Sequence, residues 1–272
     1  MQTVGRFAPS PSGRMHLGNV LCALLAWLSA RHQNGAFLLR IEDLDAMRCP
    51  RSYADLIMDD LRWLGLDWDG EVPYQSERAP IYEKYEQILR EKGLLYPCFC
   101  SRAALHAASA PHLSDGRVLY AGTCRELTPA EIEEKRKKRA PATRVRVPDE
   151  IISFTDGVFG EYRENLAEEC GDFIIRRSDG VFAYQLAVTV DDGLSGVTEV
   201  VRGSDLISST PRQIWLYRLF GFEPPHFVHI PLLCDVDGRR LSKRDEDLDL
   251  GLLRERFSPE QVIGALAFAA HL

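Results

Sequence analysis

The first residues that could do chemistry lie at 9–19, where the sequence PSPSGRMHLGN follows a short apolar run. Gly13 and Gly18 have no side chain, so a nucleotide could approach the backbone closely there. A helix that begins at this point favours phosphate at its N-terminus, and His16 could donate to a phosphate oxygen as negative charge develops. Short motifs of this kind also arise by chance, and a turn with a histidine that only caps a helix explains this one equally well.

A second candidate is the basic sequence RRLSKR at 239–244, in a polar segment near the end of the chain. Lys243 is a compact positive charge on a flexible stem, which suits a triphosphate whose charge moves during reaction. A solvated surface loop is the usual explanation of such a basic run and remains the alternative. The two motifs together predict a nucleotide site far better than either does alone.

Clustered cysteines, Cys98, Cys100 and Cys124, form the third candidate. Thiolates are soft donors that bind zinc, and zinc takes four ligands. Three cysteines leave one ligand open, for which His106 and His112 in the intervening segment are the generic candidates. Reduced structural cysteines in a loop are the alternative to a metal site.

Strand and helix signals place the histidine motif at the edge of a sheet. The apolar runs at 4–8 and 36–41 have strand length, and the Leu- and Ala-rich segment 16–32 predicts a buried helix. A strand, helix and strand in this order form a parallel β-α-β unit with a right-handed crossover. Ligands of such sheets bind beyond the carboxyl ends of the strands, where residues 9–19 lie.

The rest of the chain continues this pattern with one interruption. Helices are predicted at 52–64, 80–92, 128–139, 210–220 and near the C-terminus, and strands or apolar segments at 143–147, 172–176, 182–190, 198–201 and 227–234. Asp191 and Asp192 could bind magnesium, but adjacent side chains on an extended backbone point apart, which favours a polar turn. The predicted domains are a first half of a nucleotide-binding domain at 1–96, an inserted subdomain at 97–170, a second half at 171–222 and a C-terminal region with the basic loop at 223–272.

Composition narrows the class of protein. The chain has 272 residues, with 33 Lys and Arg against 40 Asp and Glu, and its net charge of −7 excludes a generally basic nucleic-acid-binding surface but allows a local basic groove. Seven cysteines, an odd number, are not typical of a disulfide framework and favour a reducing cytoplasm. No apolar run reaches the roughly 18 residues that span a bilayer, and no secretory signal is found, so we expect a cytoplasmic protein without membrane association.

The two charged motifs together resemble the signature pair of class I aminoacyl-tRNA synthetases. The flanking sequences RFAPSPSG at 6–13 and LRIEDLD at 39–45 are similar to the glutamyl branch of that family. Asn19 stands where the fuller histidine motif has a second His, and Arg240 stands where the basic loop has its first Lys. The resemblance implies an α/β fold, a Rossmann-type parallel sheet split by an inserted zinc-containing subdomain, with a short helical C-terminal region.

The same resemblance implies roles for particular residues, with His16 and Lys243 as the catalytic pair. The residues implied for glutamate binding are Arg6, Phe7, Ala8, Pro9, Ser10, Glu42, Tyr184 and Arg202. The residues implied for ATP binding are His16, Gly18, Asn19 and Lys243. The residues implied for one structural zinc are Cys98, Cys100, Tyr120 and Cys124. Arginine suits the carboxylates of glutamate because its planar fork matches them bidentately, and Glu42 would hold the ammonium group.

The part of the chain after about residue 250 is too short for the helical anticodon-binding region that usually follows in the glutamyl branch. The resemblance is therefore to short members that attach glutamate to the queuosine base in the anticodon loop of tRNA(Asp). It implies ATP with Mg²⁺, L-glutamate and the tRNA(Asp) anticodon stem-loop as partners of a monomeric ligase. Two alternatives are a truncated synthetase that charges a tRNA 3′ end and a non-catalytic RNA-binding paralogue.

Overall fold

The computed structural model describes residues 2–101, 119–234 and 249–272. Its strands are β1 (Val4–Phe7), β2 (Ala36–Leu39), β3 (Leu95–Cys98), β4 (Ala142–Val145), β5 (Ile151–Asp156), β6 (Gly160–Asn165), β7 (Phe173–Arg176), β8 (Glu199–Gly203) and β9 (His226–Ile230). Its helices are α1 (Leu17–His32), α2 (Arg51–Trp63), α3 (Ala79–Glu91), α4 (Pro129–Arg136), α5 (Tyr184–Leu194), α6 (Thr210–Phe220), α7 (Leu250–Arg256) and α8 (Pro259–Ala269).

Two pairs of parallel strands form the layer that carries the histidine motif. β1 pairs with β2 and β8 pairs with β9, both in parallel. The pairs adjoin, because the backbone N–H of Thr198 donates to the carbonyl of Val4 at 2.9 Å. Helix α1 packs across β1 and β8 and buries residues on more than one face, as its Leu- and Ala-rich sequence predicts. The parallel β-α-β unit predicted at 4–41 is confirmed.

An antiparallel sheet, in the order β3-β4-β7, interrupts the parallel layer, and a separate hairpin joins β5 to β6. The strand predicted at 172–176 is confirmed as β7, but its expected return to the α/β pattern is wrong, because β7 pairs antiparallel with β4. The buried carboxylate of Asp172 ties these strands together by accepting from the hydroxyl of Tyr96 at 2.7 Å and from the backbone N–H of Val147 at 2.8 Å. This sheet crosses the boundaries proposed near 97 and 171, which remain predictions.

The polar turn expected at Asp191 and Asp192 is also wrong, because both residues lie in α5 and are buried. Arginines from other elements supply the countercharge. Nε of Arg78 lies 2.7 Å from Asp191, and Nη1 of Arg40 lies 2.6 Å from Asp192. Buried carboxylates persist where such cations pair with them, and this pairing was invisible in the local sequence.

Helix ends follow the sequence closely in most places. Thr128 and Glu131 form a capping box at the start of α4. Gly221, in the left-handed conformation, caps the C-terminus of α6. Helix α2 begins after Pro50 and ends at Trp63, each end one residue before the predicted range 52–64. The C-terminal helix α8 buries Val262 and Leu266 in the same core as α1. Among the described residues, no helix has the length and apolar character needed to cross a bilayer.

Candidate active site

A cavity of about 490 Å³ opens where β1 and β8 end and α1 begins. Every described residue that the sequence analysis assigned to glutamate or ATP lines it. These residues are Arg6, Phe7, Ala8, Pro9, Ser10, His16, Gly18, Asn19, Glu42, Tyr184 and Arg202. Lys243 lies outside the described residues, as does the rest of 239–244. The structure thus brings one group of side chains to one cavity, and their chemical roles remain predictions.

His16 is the N-cap of α1, so the capping role that the sequence offered as an alternative to a chemical role is confirmed. Its Nδ1 accepts from the backbone N–H of Gly18 at 3.1 Å, and its own backbone N–H donates to Oδ1 of Asn19 at 3.2 Å. Because Nδ1 accepts, the neutral ring carries its hydrogen on Nε2. A Cβ at position 18 would lie 2.9 Å from Cε1 of His16, so glycine is needed for this ring position. Capping and donation therefore use different nitrogens and are compatible.

The residues at 249–250, which come after the basic segment in the sequence, lie close to the histidine motif. Residues His16 and Asp249 form an isolated antiparallel bridge, and the backbone N–H of Leu250 donates to the carbonyl of Met15 at 3.1 Å. Buried Asp60 on α2 accepts from Arg14 at 2.8 Å and also from Arg254 of α7. The first residues after 235–248 are thus anchored beside the first turn of α1.

Arg202 is a buried cation at the end of β8, only 4% exposed. Its guanidinium donates to Nε2 of His229 at 3.1 Å, to Oε1 of Gln213 at 2.9 Å and to Oγ1 of Thr210 at 2.8 Å, and the hydroxyl of Tyr184 lies 3.5 Å away. These partners are neutral, and no carboxylate within the described part of the chain pairs with it. Burial lowers the pKa of Arg202 below its ordinary value. A buried charge held only by neutral acceptors is suited to an anionic ligand.

Arg6, in contrast, has a carboxylate partner beneath the cavity. Its Nε lies 3.3 Å from Asp192, which also binds Arg40 at 2.6 Å. Burial raises the pKa of Asp192, but Arg40 and Arg6 outweigh that effect and hold the pKa below its ordinary value. Arg40 also forms an ion pair with Glu42, with Nη2 of Arg40 3.0 Å from the carboxylate oxygen. Burial raises the pKa of Glu42. A network of paired charges thus forms the floor of the cavity.

A second cavity, of about 460 Å³, adjoins the first and shares Ser10, Ser12, Glu42 and Tyr184 with it. Arg177 and Asp45 line it as an ion pair 3.1 Å apart. Tyr184 is the first residue of α5, and its side chain lines both cavities. Burial raises the pKa of its hydroxyl. The two cavities thus meet at these four shared residues.

The three clustered cysteines converge as the sequence predicts. Their Sγ atoms lie within 4.8 Å of one another, a spacing that could hold a metal ion. Cys100 and Cys124 are 3.7 Å apart, which fits the separation of about 3.8 Å between thiolates on a tetrahedral zinc. The hydroxyl oxygen of Tyr120 lies 3.7 Å from Sγ of Cys98, and Nε of Arg144 lies 3.2 Å from the same sulfur. His106 and His112 lie outside the described residues.

Several residues that shape the site were missed by sequence reasoning. They are Asp192, Gln213 and His229, which contact Arg6 or Arg202. Arg40 lies inside the LRIEDLD segment, but nothing in its spacing indicates that it pairs with α5. Each partner is remote along the chain, so no local signal predicts these contacts.

A parallel nucleotide-binding layer, an interrupting antiparallel sheet and a histidine motif at the strand ends define the catalytic domain of a class I aminoacyl-tRNA synthetase. Residues 2–263 match the family described as tRNA synthetases class I (E and Q), catalytic domain. The glutamyl-Q tRNA(Asp) synthetases of Nitratidesulfovibrio vulgaris and Symbiobacterium thermophilum are 50% and 51% identical, over 98% of this chain and 86% of each relative. The chain belongs to this family and is a class I synthetase-like ligase.

A solved structure gives the same fold. The glutamate tRNA ligase of Elizabethkingia meningosepticum, crystallised in complex with its amino acid, is 31% identical with a TM-score of 0.77. The match covers 91% of this chain and 53% of that protein, so this chain spans about half of the longer ligase. The predicted class I α/β fold is confirmed.

Proposed function

We propose that this ligase activates L-glutamate with ATP and transfers the glutamyl group to the queuosine base in the anticodon loop of tRNA(Asp). The observation that carries the amino-acid part is Arg202, a buried cation among neutral acceptors in the cavity that also holds His16. The names of the relatives support the acceptor. The enzyme is expected to act as a cytoplasmic monomer.

In the first step, the carboxylate of glutamate attacks the α-phosphorus of ATP in line. A new acyl–phosphate bond forms, the bond to the β-phosphate oxygen breaks, and pyrophosphate leaves with the electron pair. His16, through its Nε2–H, and Lys243 would stabilise charge on the departing phosphates. Mg²⁺ bound with ATP would supply further positive charge there. No covalent enzyme nucleophile is needed.

In the glutamate pocket, Arg202 is the better candidate for a full carboxylate contact, because its charge is not shared with a protein carboxylate. Arg6 shares Asp192 with Arg40 and would add a second, weaker contact. Glu42 would pair with the ammonium group of the substrate. The hydroxyl of Tyr184 would donate to a substrate oxygen from the side facing the second cavity.

We also propose that the cysteine cluster holds one structural zinc, with Tyr120 as the fourth ligand. The backbone N–H of Cys124 donates to the Tyr120 oxygen at 2.7 Å, and Arg144 lies 3.7 Å above its ring. Burial raises the pKa of the Tyr120 phenol, whereas the hydrogen bond from Cys124 acts in the opposite direction, toward the phenolate that would bind zinc. The zinc would fix the strand β3 to the segment at 119–125.

The expected result for this site is about one zinc per chain in protein purified without chelator, and far less in Cys124→Ser. The measurement is metal analysis by mass spectrometry. Cys234→Ser, which changes an exposed cysteine outside the cluster, is the matched control. Tyr120→Phe should weaken zinc retention against a chelator, and unaltered retention would point to His106 or His112 instead. Wild-type protein with well under one zinc would refute the site.

The acceptor is tested with tRNA from cells with and without queuosine. Labelled glutamate should enter only the queuosine-containing tRNA(Asp), and periodate treatment of the cyclopentenediol ring should abolish the transfer. Transfer to the 3′ end of tRNA(Glu) would favour the alternative, a shortened glutamyl-tRNA synthetase, which the likeness to a glutamate tRNA ligase keeps open. Salt should weaken tRNA binding, since the contacts are to phosphates.

A further inference from the structure

A buried histidine lies between Arg202 and a carboxylate from the hairpin β5–β6. His229, on β9, is 0% exposed. Its Nδ1 lies 2.6 Å from Oδ2 of Asp156, and its Nε2 lies 3.1 Å from Nε of Arg202. Of these three side chains, only Arg202 lines the cavity. Asp156, His229 and Arg202 form a continuous line of hydrogen bonds that runs from the hairpin to the proposed amino-acid pocket.

The two partners of His229 fix the position of its proton. An ionised carboxylate only accepts, so Nδ1 must donate to Asp156, whereas the Nε–H of Arg202 only donates, so Nε2 must accept. The ring is therefore neutral with its hydrogen on Nδ1. Burial, and then the charge of Arg202, lower the pKa of His229, which favours the same neutral form.

Asp156 is itself held in one orientation, at the start of the turn between β5 and β6. Its Oδ1 accepts from the backbone N–H groups of Val158 and Phe159 at 3.0 Å each, and its Oδ2 accepts from that of His229 at 3.1 Å. Burial raises the pKa of Asp156, but these N–H groups and the ring of His229 outweigh it and keep the carboxylate ionised. The backbone N–H groups and the ring N–H around Asp156 all donate hydrogen bonds to it. An asparagine at this position would place its NH₂ group, which also donates, next to one of these donors.

The turn between β5 and β6 packs against β9, next to these three side chains. The backbone N–H of Gly157 donates to the carbonyl of Phe227 at 2.9 Å. A Cβ at Gly157 would lie 2.9 Å from Cγ2 of Val228, so the close approach depends on glycine. The position of Asp156 relative to β9 is therefore set by packing as well as by hydrogen bonds.

We propose that Asp156 and His229 are positioning residues that hold the guanidinium of Arg202 in one orientation for a substrate carboxylate. The other hydrogen-bond partners of Arg202 are neutral oxygens, so Asp156 is the carboxylate to which its hydrogen bonds lead, through the polarised ring of His229. The inference rests on the proposed function, because it requires that Arg202 bind glutamate. It gives the hairpin β5–β6, within the predicted insertion, a part in amino-acid recognition.

Three variants separate positioning from general structural support. His229→Asn keeps a donor near Asp156 and removes the acceptor for Arg202, whereas His229→Gln keeps an acceptor near Arg202 and removes the donor to Asp156. Asp156→Asn keeps the size and shape of the side chain but places an amide N–H donor next to groups that also donate. The control is His226→Asn, on the same strand, whose side chain is 55% exposed.

The assay is glutamate-dependent ATP–pyrophosphate exchange, with KM measured separately for glutamate and for ATP. We expect His229→Asn and Asp156→Asn to raise the KM for glutamate about tenfold or more, as expected for loss of a charge-assisted hydrogen bond, with the KM for ATP within about twofold. His229→Gln should raise the glutamate KM less, by about threefold, because Arg202 keeps an acceptor but loses its link to Asp156. His226→Asn should match the wild type.

Equal KM values for glutamate in the Asn and Gln variants, or a parallel rise in both KM values, would overturn the inference and assign His229 a purely structural role. Calorimetric titration with glutamate alone gives the same distinction if a variant is too slow for the exchange assay. If His229→Asn or Asp156→Asn does not fold, His229→Gln decides the question. Its glutamate KM should rise about threefold while its KM for ATP stays at the wild-type value, and an unchanged glutamate KM would overturn the inference. Absence of exchange in the wild-type enzyme would instead refute the proposed function.

Discussion

Replacing Arg202 by glutamine is expected to remove nearly all glutamate-dependent ATP–pyrophosphate exchange. The substitution keeps much of the side-chain volume but deletes the buried charge that the substrate carboxylate would meet. It also leaves acceptors on Gln213, Thr210 and His229 without their donor. Breaking a buried charged pair costs about 3–5 kcal/mol, which corresponds to a loss of roughly 100- to 5000-fold in kcat/KM for glutamate.

The control for this variant is Arg218→Gln on α6, which removes an arginine that is 52% exposed and paired with Glu150 on the surface. Its exchange rate and its KM for glutamate should equal those of the wild type, because exposed ion pairs contribute little. A wild-type KM for glutamate in Arg202→Gln would remove the main support for the amino-acid pocket.

The second large effect is expected from His16→Asn. Asparagine is a good N-cap, and its Oδ1 can replace Nδ1 of His16 as the acceptor for the N–H of Gly18, so α1 should keep its stability. The group lost is the Nε2–H that would donate to the phosphates. Removal of one such donor lowers kcat by about 100- to 1000-fold in comparable sites, and the exchange rate at saturating substrates measures it.

His16→Ala completes the comparison, since it removes both the cap and the donor. It should show the same loss in kcat and, in addition, about 1 kcal/mol of lost stability in denaturant unfolding. If His16→Asn retained the full kcat, the histidine would be a cap and nothing more, and the charge on the leaving group would have to be stabilised elsewhere.

Local order along the chain was predictable because it depends on neighbouring residues. The β-α-β unit at the N-terminus and the helices predicted at 128–139 and 210–220 follow from the periodicity and the end signals of the sequence. The residues of the cavity were identified by short motifs, and the structure brings the described ones together. Motifs succeed here because strand ends and helix starts of a parallel sheet meet at one edge.

Two predictions failed because contacts distant in sequence overrode local preference. The segment 172–176 was expected to resume the α/β pattern, yet its strand β7 pairs antiparallel with β4. Asp191 and Asp192 were expected in a turn, yet Arg40 and Arg78 allow them to lie buried within a helix. No pattern in a single sequence specifies which cation will neutralise a buried carboxylate.

The sequence by itself determined the family, the elements around the histidine motif and the residue types that line the cavity. Tertiary structure alone decided how the charges are divided, with Asp192 paired to Arg6 and Arg202 left among neutral acceptors. The physical reason is that hydrogen-bond geometry and periodicity are local, whereas the energy of a buried charge depends on every group folded around it.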